Sequence, residues 1–114
     1  MISPRTLRPF FALALLVVLV ASLWPTAEPL PLGTGWDKTD HLVAFLGLGL
    51  LGLPAWPSRR ARVLVGLLLY GALIEVLQGF TVYRQSDWRD WVADAVGAGL
   101  ALLVVVAWRR RKRN

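Results

Sequence analysis

The stretch DWRDWVADAVGAGLALLVVVAWRRRKR, residues 87–113, decides how the chain folds. Three acids, Asp87, Asp90 and Asp94, stand at its start, and five consecutive basic residues, Arg109, Arg110, Arg111, Lys112 and Arg113, close it. Between them lies an apolar run over 91–108. Its eighteen residues make roughly 27 Å of helix, at the short end of what crosses a bilayer. A basic cluster directly after such a run marks the cytoplasmic side.

Working outward, the same pattern recurs. Arg5 and Arg8 form a second acid-free basic cluster, and Arg59, Arg60 and Arg62 a third. The three clusters hold ten of the thirteen basic residues, and the seven acids all fall in the other connections or inside apolar runs. Apolar spans are expected over 7–24, 41–56, 63–80 and 91–108. The positive-inside rule then gives an all-α fold, a polytopic transmembrane four-helix bundle with both termini cytoplasmic (N-in/C-in). It is one domain, 1–114, ending in a basic cytoplasmic tail at 109–114. The first span is long for the apolar core of a secretory signal. Pro25-Thr26-Ala27 after it makes a poor cleavage site, so an uncleaved signal anchor is expected.

Composition agrees. With 56% hydrophobic residues and a mean hydropathy of +0.54, this 114-residue chain is too apolar for a soluble domain of its size. Its net charge of +6 could suit nucleic acid, but the basic residues flank apolar spans instead of covering a polar face. Anionic lipid of the cytoplasmic leaflet is the expected partner, and nucleic acid is not. The chain has no cysteine, which excludes disulfides and thiolate chemistry. Trp24, Trp36, Trp88 and Trp91 fall near the expected outer boundary and Trp56 and Trp108 near the inner one, where amphipathic rings prefer to sit. Pro25, Pro54 and Pro57 mark helix exits. The connection 24–40 is rich in Pro and Gly and reads as an extended outer loop. The connection 54–62 is a short cytoplasmic hairpin, and 81–90 a charged outer turn.

The polar residues gather toward one membrane face. Asp87, Asp90 and Asp94, at i, i+3 and i+7, share one helical face, which continues as Gly97 and Ala101. Small residues at four-residue spacing let helices approach closely in lipid, so this face is expected to turn inward. Asp94 lies roughly 6 Å below the interface, where a carboxylate must be protonated, paired or water-linked. In the third span Glu75 and Gln78 are neighbours at i, i+3, with Gly71 one turn deeper. Two intramembrane carboxylates at matching depth on two helices are functional candidates. They are equally the material of a helix–helix hydrogen bond that only locks packing. In the second span Thr39 or Asp40 is a natural N-cap. His41, the single histidine, is either an interfacial side chain facing water or a participant in chemistry. Arg84 has Asp87 and Asp90 within reach, and with Lys38 and Gln78 it could hold a phosphate or carboxylate.

The order of these residues resembles the VanZ-like family of small membrane proteins. Asp37-Lys38 precedes His41; Glu75 precedes Gln78; Arg84, Asp87 and Asp90 follow; then come Asp94 and the Gly97/Gly99 pair. The likeness spans about residues 36–103. The family usually carries Asn at the position of Asp94, and this chain departs from it there. The resemblance implies a four-span helical protein of the bacterial cytoplasmic (inner) membrane. It also implies a link to resistance against the glycopeptide teicoplanin, with which the founding member is associated. It implies no particular reaction.

Three functional readings follow. In the first, His41, Glu75, Gln78, Asp90 and Asp94 line an outward-facing polar pocket, with Lys38 and Arg84 at its rim and Asp87 a further binding candidate. The pocket binds or modifies a cell-envelope ligand such as a lipid-linked glycan or a glycopeptide antibiotic. Glu75 or Asp94 would be the general base, His41 the acid, and Arg84 with Lys38 the anion clamp. In the second, the polar cluster fixes helix packing in a structural or assembly subunit. In the third, an oligomer acts as a proton-coupled carrier. His41, Glu75, Asp90 and Asp94 have the ligand types for a divalent metal, but their spacing is not diagnostic, and no metal or cofactor is expected. The absence of cysteine makes topology testable. With Asp87→Cys, a membrane-impermeant thiol reagent added to whole cells should label the protein. With Arg60→Cys it should label only after the membrane is opened. The opposite pattern would invert the topology.

Overall fold

The computed structural model describes residues 2–25, 37–82 and 86–113. Four helices account for nearly all of them: α1 (Pro4–Ser22), α2 (Asp37–Ala55), α3 (Arg60–Gly79) and α4 (Trp88–Arg113). Each begins three or four residues before the span expected from hydropathy. Polar residues extend a helix without lengthening its apolar run, so hydropathy alone underestimates the ends. The largest difference is at the C-terminus. The basic segment 109–114, expected as a tail, continues α4 through Arg113. Four cations in that last turn complement the negative end of the helix dipole. Lys112 also lies 5.3 Å from the centre of the Trp108 ring, one turn back.

α1, α3 and α4 are long and apolar enough to cross a membrane, which suggests a membrane protein. α2 is different. Asp37, Lys38, Thr39, Asp40 and His41 open it, leaving an apolar stretch of only 42–55. Apolar runs of that length are more typical of buried core helices than of spans. α2 makes the most extensive contacts of the four, above all with α4. Its start at Asp37 also places Thr39 and Asp40 inside the first turn, so neither is the N-cap expected for them.

Successive helices run in opposite directions. Arg8 near the start of α1 reaches the end of α2, donating from Nε to the carbonyl of Ala55 at 3.2 Å. Gln78 near the end of α3 reaches the end of α1, donating from Nε2 to the carbonyl of Ser22 at 3.0 Å. Each bond satisfies a terminal helix carbonyl that has no intrahelical partner, which matters most where water is absent. Tyr70 on α3 likewise donates its hydroxyl to the carbonyl of Leu15 on α1. The basic clusters therefore gather at one end of the molecule. Lys38, His41, Glu75, Asp87, Asp90 and Asp94 gather toward the other.

Two apolar clusters fill the space between. One joins Phe45, Leu48, Leu67, Ile74 and Ala98, and the other Leu53, Ala101 and Val105. α1 has no fully buried residue and leaves Phe10, Leu13, Leu16, Val17 and Val20 about half exposed. Exposed apolar area of that extent is unfavourable in water and neutral in lipid.

The α2–α4 contact depends on Gly97. A Cβ there would strike the carbonyl oxygen of Leu42 and come within 2.9 Å of the amide nitrogen of Leu46. Both are backbone atoms of α2, which no rotamer change can move. The small-residue face read from the sequence is thus the face on which α2 sits. Gly99, two residues on, has open space around it. Gly97→Ala should therefore cost about 1–3 kcal/mol through overpacking. Gly99→Ala should be neutral or slightly stabilising, since Ala is the better helix former. Thermal unfolding of both variants in detergent measures the difference.

Candidate functional site

Three helices bring polar side chains to one place at the end opposite the basic clusters. On α2 the first turn presents Lys38 and His41. On α3 the buried face carries Leu67, Gly71, Ile74, Glu75 and Gln78, so the acid and the amide belong to the stripe that packs inward. On α4 the buried face carries Asp90, Asp94, Gly97, Ala98, Ala101 and Val105, continuing the acidic row into the small residues.

His41 is the hub. Its Nδ1 lies 2.8 Å from Oδ1 of Asp94, a hydrogen bond between α2 and α4. With Asp94 ionised, Nδ1–H donates, and in the neutral imidazole Nε2 then keeps the lone pair. The same Nδ1 is 3.9 Å from Oε1 of Glu75, and Nε2 is 3.8 Å from Oδ2 of Asp90. One histidine thus meets three carboxylates from two other helices. All are buried: His41 is 9% exposed, Glu75 6%, Asp90 3% and Asp94 0%.

Gly71 makes room for this arrangement. A Cβ at that position would stand 2.8 Å from Oδ2 of Asp94, so the absence of a side chain on α3 lets the carboxylate of α4 lie against its backbone. The sequence placed Gly71 on the Glu75 face without showing what it receives.

Two cluster carboxylates are also held from outside it, Glu75 through Oε2 and Asp90 through Oδ1. Oε2 of Glu75 accepts the backbone N–H of Asp87 at 3.0 Å, tying α3 to the start of α4. Asp87 stands immediately before α4, and its Oδ1 accepts the N–H of Arg89 at 2.9 Å, as an N-cap does. Lys38 donates from Nζ to Oδ2 of Asp87 at 3.1 Å and to Oδ1 of Asp90 at 3.4 Å. Asp87 is held below the usual carboxylate range, first by the Arg89 N–H and then by Lys38. Lys38 is raised above its ordinary value, chiefly by its hydrogen bond to Asp87, against the opposing effect of desolvation. Both side chains are about a third exposed, so water screens this pair far more than the cluster beneath it.

Of the residues singled out in the sequence, Lys38, His41, Glu75, Asp87, Asp90 and Asp94 come together. Gln78 lies on the same face of α3 but spends its amide on the end of α1. Arg84 and Trp36 lie outside the described residues. Lys38 meets both Asp87 and Asp90. Trp91, expected at headgroup level, turns its indole N–H to the carbonyl of Leu68 on α3 at 2.9 Å. The polar cluster itself is buried, with Lys38 and Asp87 at its exposed edge. An open apolar cleft of about 300 Å³ lies elsewhere between α1 and α3, lined by Phe11, Leu15, Arg62, Val63, Leu67 and Tyr70 among others.

Comparison with curated proteins and with solved structures gives no match. The sequence profile of the VanZ/LLP1 family, in contrast, matches residues 5–109. That match reaches into all four helices and takes in every residue of the polar cluster, and the chain belongs to the VanZ/LLP1 family.

Proposed function

We propose that this is a multi-pass protein of the bacterial inner membrane, N-in and C-in, whose polar cluster sits beneath the outer headgroups and binds or modifies a cell-envelope ligand. The single observation behind this reading is the buried 2.8 Å contact between His41 and Asp94. A carboxylate that fixes one imidazole nitrogen aims the other, and an aimed imidazole is suited to proton transfer. Asp94 would orient and balance the imidazole, His41 would carry the proton, and Glu75 or Asp90 would be the second acid–base group. Lys38 is the part of the site that can exchange partners. Its bond to Asp87 is exposed and weak in water, so an anionic headgroup can take the place of that carboxylate. A phosphate of a lipid-linked glycan and a carboxylate of a glycopeptide both have the required charge. The family resemblance makes an effect on teicoplanin susceptibility the phenotype to examine first.

The depth of burial favours a second reading, in which the cluster locks α2, α3 and α4 together and serves assembly. Interhelical hydrogen bonds in membranes average about 0.6 kcal/mol and reach roughly 1.7. A set of them would hold register on its own. The two readings separate on Asp94→Asn, which keeps the shape and one hydrogen-bonding oxygen. The ligand reading expects normal yield and melting with the binding effect lost. The structural reading expects yield and melting temperature to fall together with any phenotype. Purified protein in detergent should melt at a higher temperature as lipid-linked glycan precursor is added, approaching about 2.7 kcal/mol of stabilisation at 100-fold excess over Kd. Lys38→Met should shift that titration to higher ligand concentration. Melting that ignores both lipid-linked precursor and glycopeptide would refute the ligand reading.

A further inference from the structure

We infer that the cleft between α1 and α3 is a binding site for one anionic phospholipid, with an acyl chain along the cleft and the phosphate on Arg62. The cleft encloses about 300 Å³ between two helices that otherwise touch little, because α1 packs mainly on α2. Its lining is almost wholly apolar. On α3 the lining runs from Arg62, at the basic end, to Tyr70, whose hydroxyl crosses to the Leu15 carbonyl of α1.

The walls of the cleft are seated on α2. A Cβ at Gly52 would stand 2.7 Å from Cε1 of Phe11 and 3.1 Å from Cγ1 of Val63, so one side chain from each wall already rests on the α2 backbone. Phe11 also meets the Trp56 ring edge-on, at 5.6 Å between centres. Neither wall can sink further, and the gap between them persists. Gly66 lies inside it. Arg62, Gly66 and Tyr70 stand at four-residue spacing, hence on one face of α3. A Cβ at Gly66 would meet no atom within 4 Å, so the middle of this face is open space.

Length and charge select the occupant. From residue 62 to residue 70 is roughly 12 Å of helix, most of the about 15 Å that one leaflet contributes to the hydrocarbon core. An acyl chain of the leaflet nearest Arg62 matches both that depth and the apolar walls. The sequence has no acid before Glu28, none over 41–74 and none after Asp94, so the end where Arg62 stands offers it no carboxylate side chain. Phosphate oxygens supply the missing counter-charge, and a guanidinium takes two of them at once. Arg5, Arg8, Arg59 and Arg60 belong to the same end, and their field favours a headgroup of net negative charge over a zwitterionic one. The same cations on a second copy of the chain would repel it. The site lies in the basic half of the molecule, away from the polar cluster. The inference therefore goes beyond the envelope-ligand reading and does not depend on it.

The test uses the full chain in mild detergent, titrated with an equimolar mixture of phosphatidylglycerol and phosphatidylcholine and read by native mass spectrometry. Wild type should retain a single phosphatidylglycerol per chain, saturably, in preference to phosphatidylcholine. Arg62→Met should weaken phosphatidylglycerol binding about fivefold and leave phosphatidylcholine nearly unchanged. Gly66→Leu places a good helix former in the cleft. It should lower retention of both lipids, while the melting temperature without lipid holds or rises. Should either variant fold poorly, wild type decides by crosslinking to phosphatidylglycerol with a photoreactive acyl chain. The crosslinks should fall on residues 11–15 and 62–70. Crosslinks spread evenly over all four helices overturn the inference. Equal retention of the two lipids by wild type overturns it, as does a lipid-free dimer. A folded Gly66→Leu variant that keeps its lipid overturns it as well.

Discussion

The bond between His41 and Asp94 is the constraint around which the rest of this molecule is arranged. It places an ionisable pair on two helices at a depth where water cannot compensate for a poor fit. Everything nearby serves to make that tolerable. Gly71 withdraws a side chain so that the Asp94 carboxylate can lie against α3, and Gly97 does the same so that α2 and α4 can close to backbone contact. Had either helix kept a bulky residue there, imidazole and carboxylate would stand too far apart to bond. The small-residue face of α4 and the acidic face of α4 are one device, because close approach is what makes the polar contact short.

The two ends of the molecule handle charge by different means. At the basic end, cations face outward or finish helices, as Arg8 does for α2 and the last turn does for α4. At the other end, charge is turned inward and paired. Lys38 and Asp87 stand between the two regimes, exposed enough to be weak and close enough to touch Asp90. That makes them the exposed edge of the cluster.

Much of this was legible in the chain itself. Helical spacing put Asp90 and Asp94 on the face of Gly97 and Ala101, and put Glu75 with Gln78 and Gly71. Both faces turn inward because carboxylates in apolar surroundings must find partners. The family resemblance on these residues is matched by a profile covering nearly the whole chain. Other features depend on rotamers and backbone ends, which spacing does not encode. Asp87 was expected to lie within reach of Arg84, and its bond to Lys38 depends on the turn of α2, which spacing does not show. Hydropathy read α2 as a span like the others, and its polar first turn leaves it the shortest apolar part of the four, 42–55. The basic segment after Trp108 looked like a tail because nothing apolar continues there, yet propensity and the dipole carry the helix on.

Because the chain has one histidine, its imidazole can be observed alone. The most direct measurement is nitrogen-15 NMR of histidine-labelled protein in detergent or nanodiscs, wild type against Asp94→Asn. The account predicts one imidazole locked in a single tautomer, with a far-downfield Nδ1 proton that slows its exchange with water. It predicts that the Asp94→Asn exchange moves that signal. An imidazole that averages its tautomers, exchanges freely with solvent and gives the same spectrum in both proteins would contradict it.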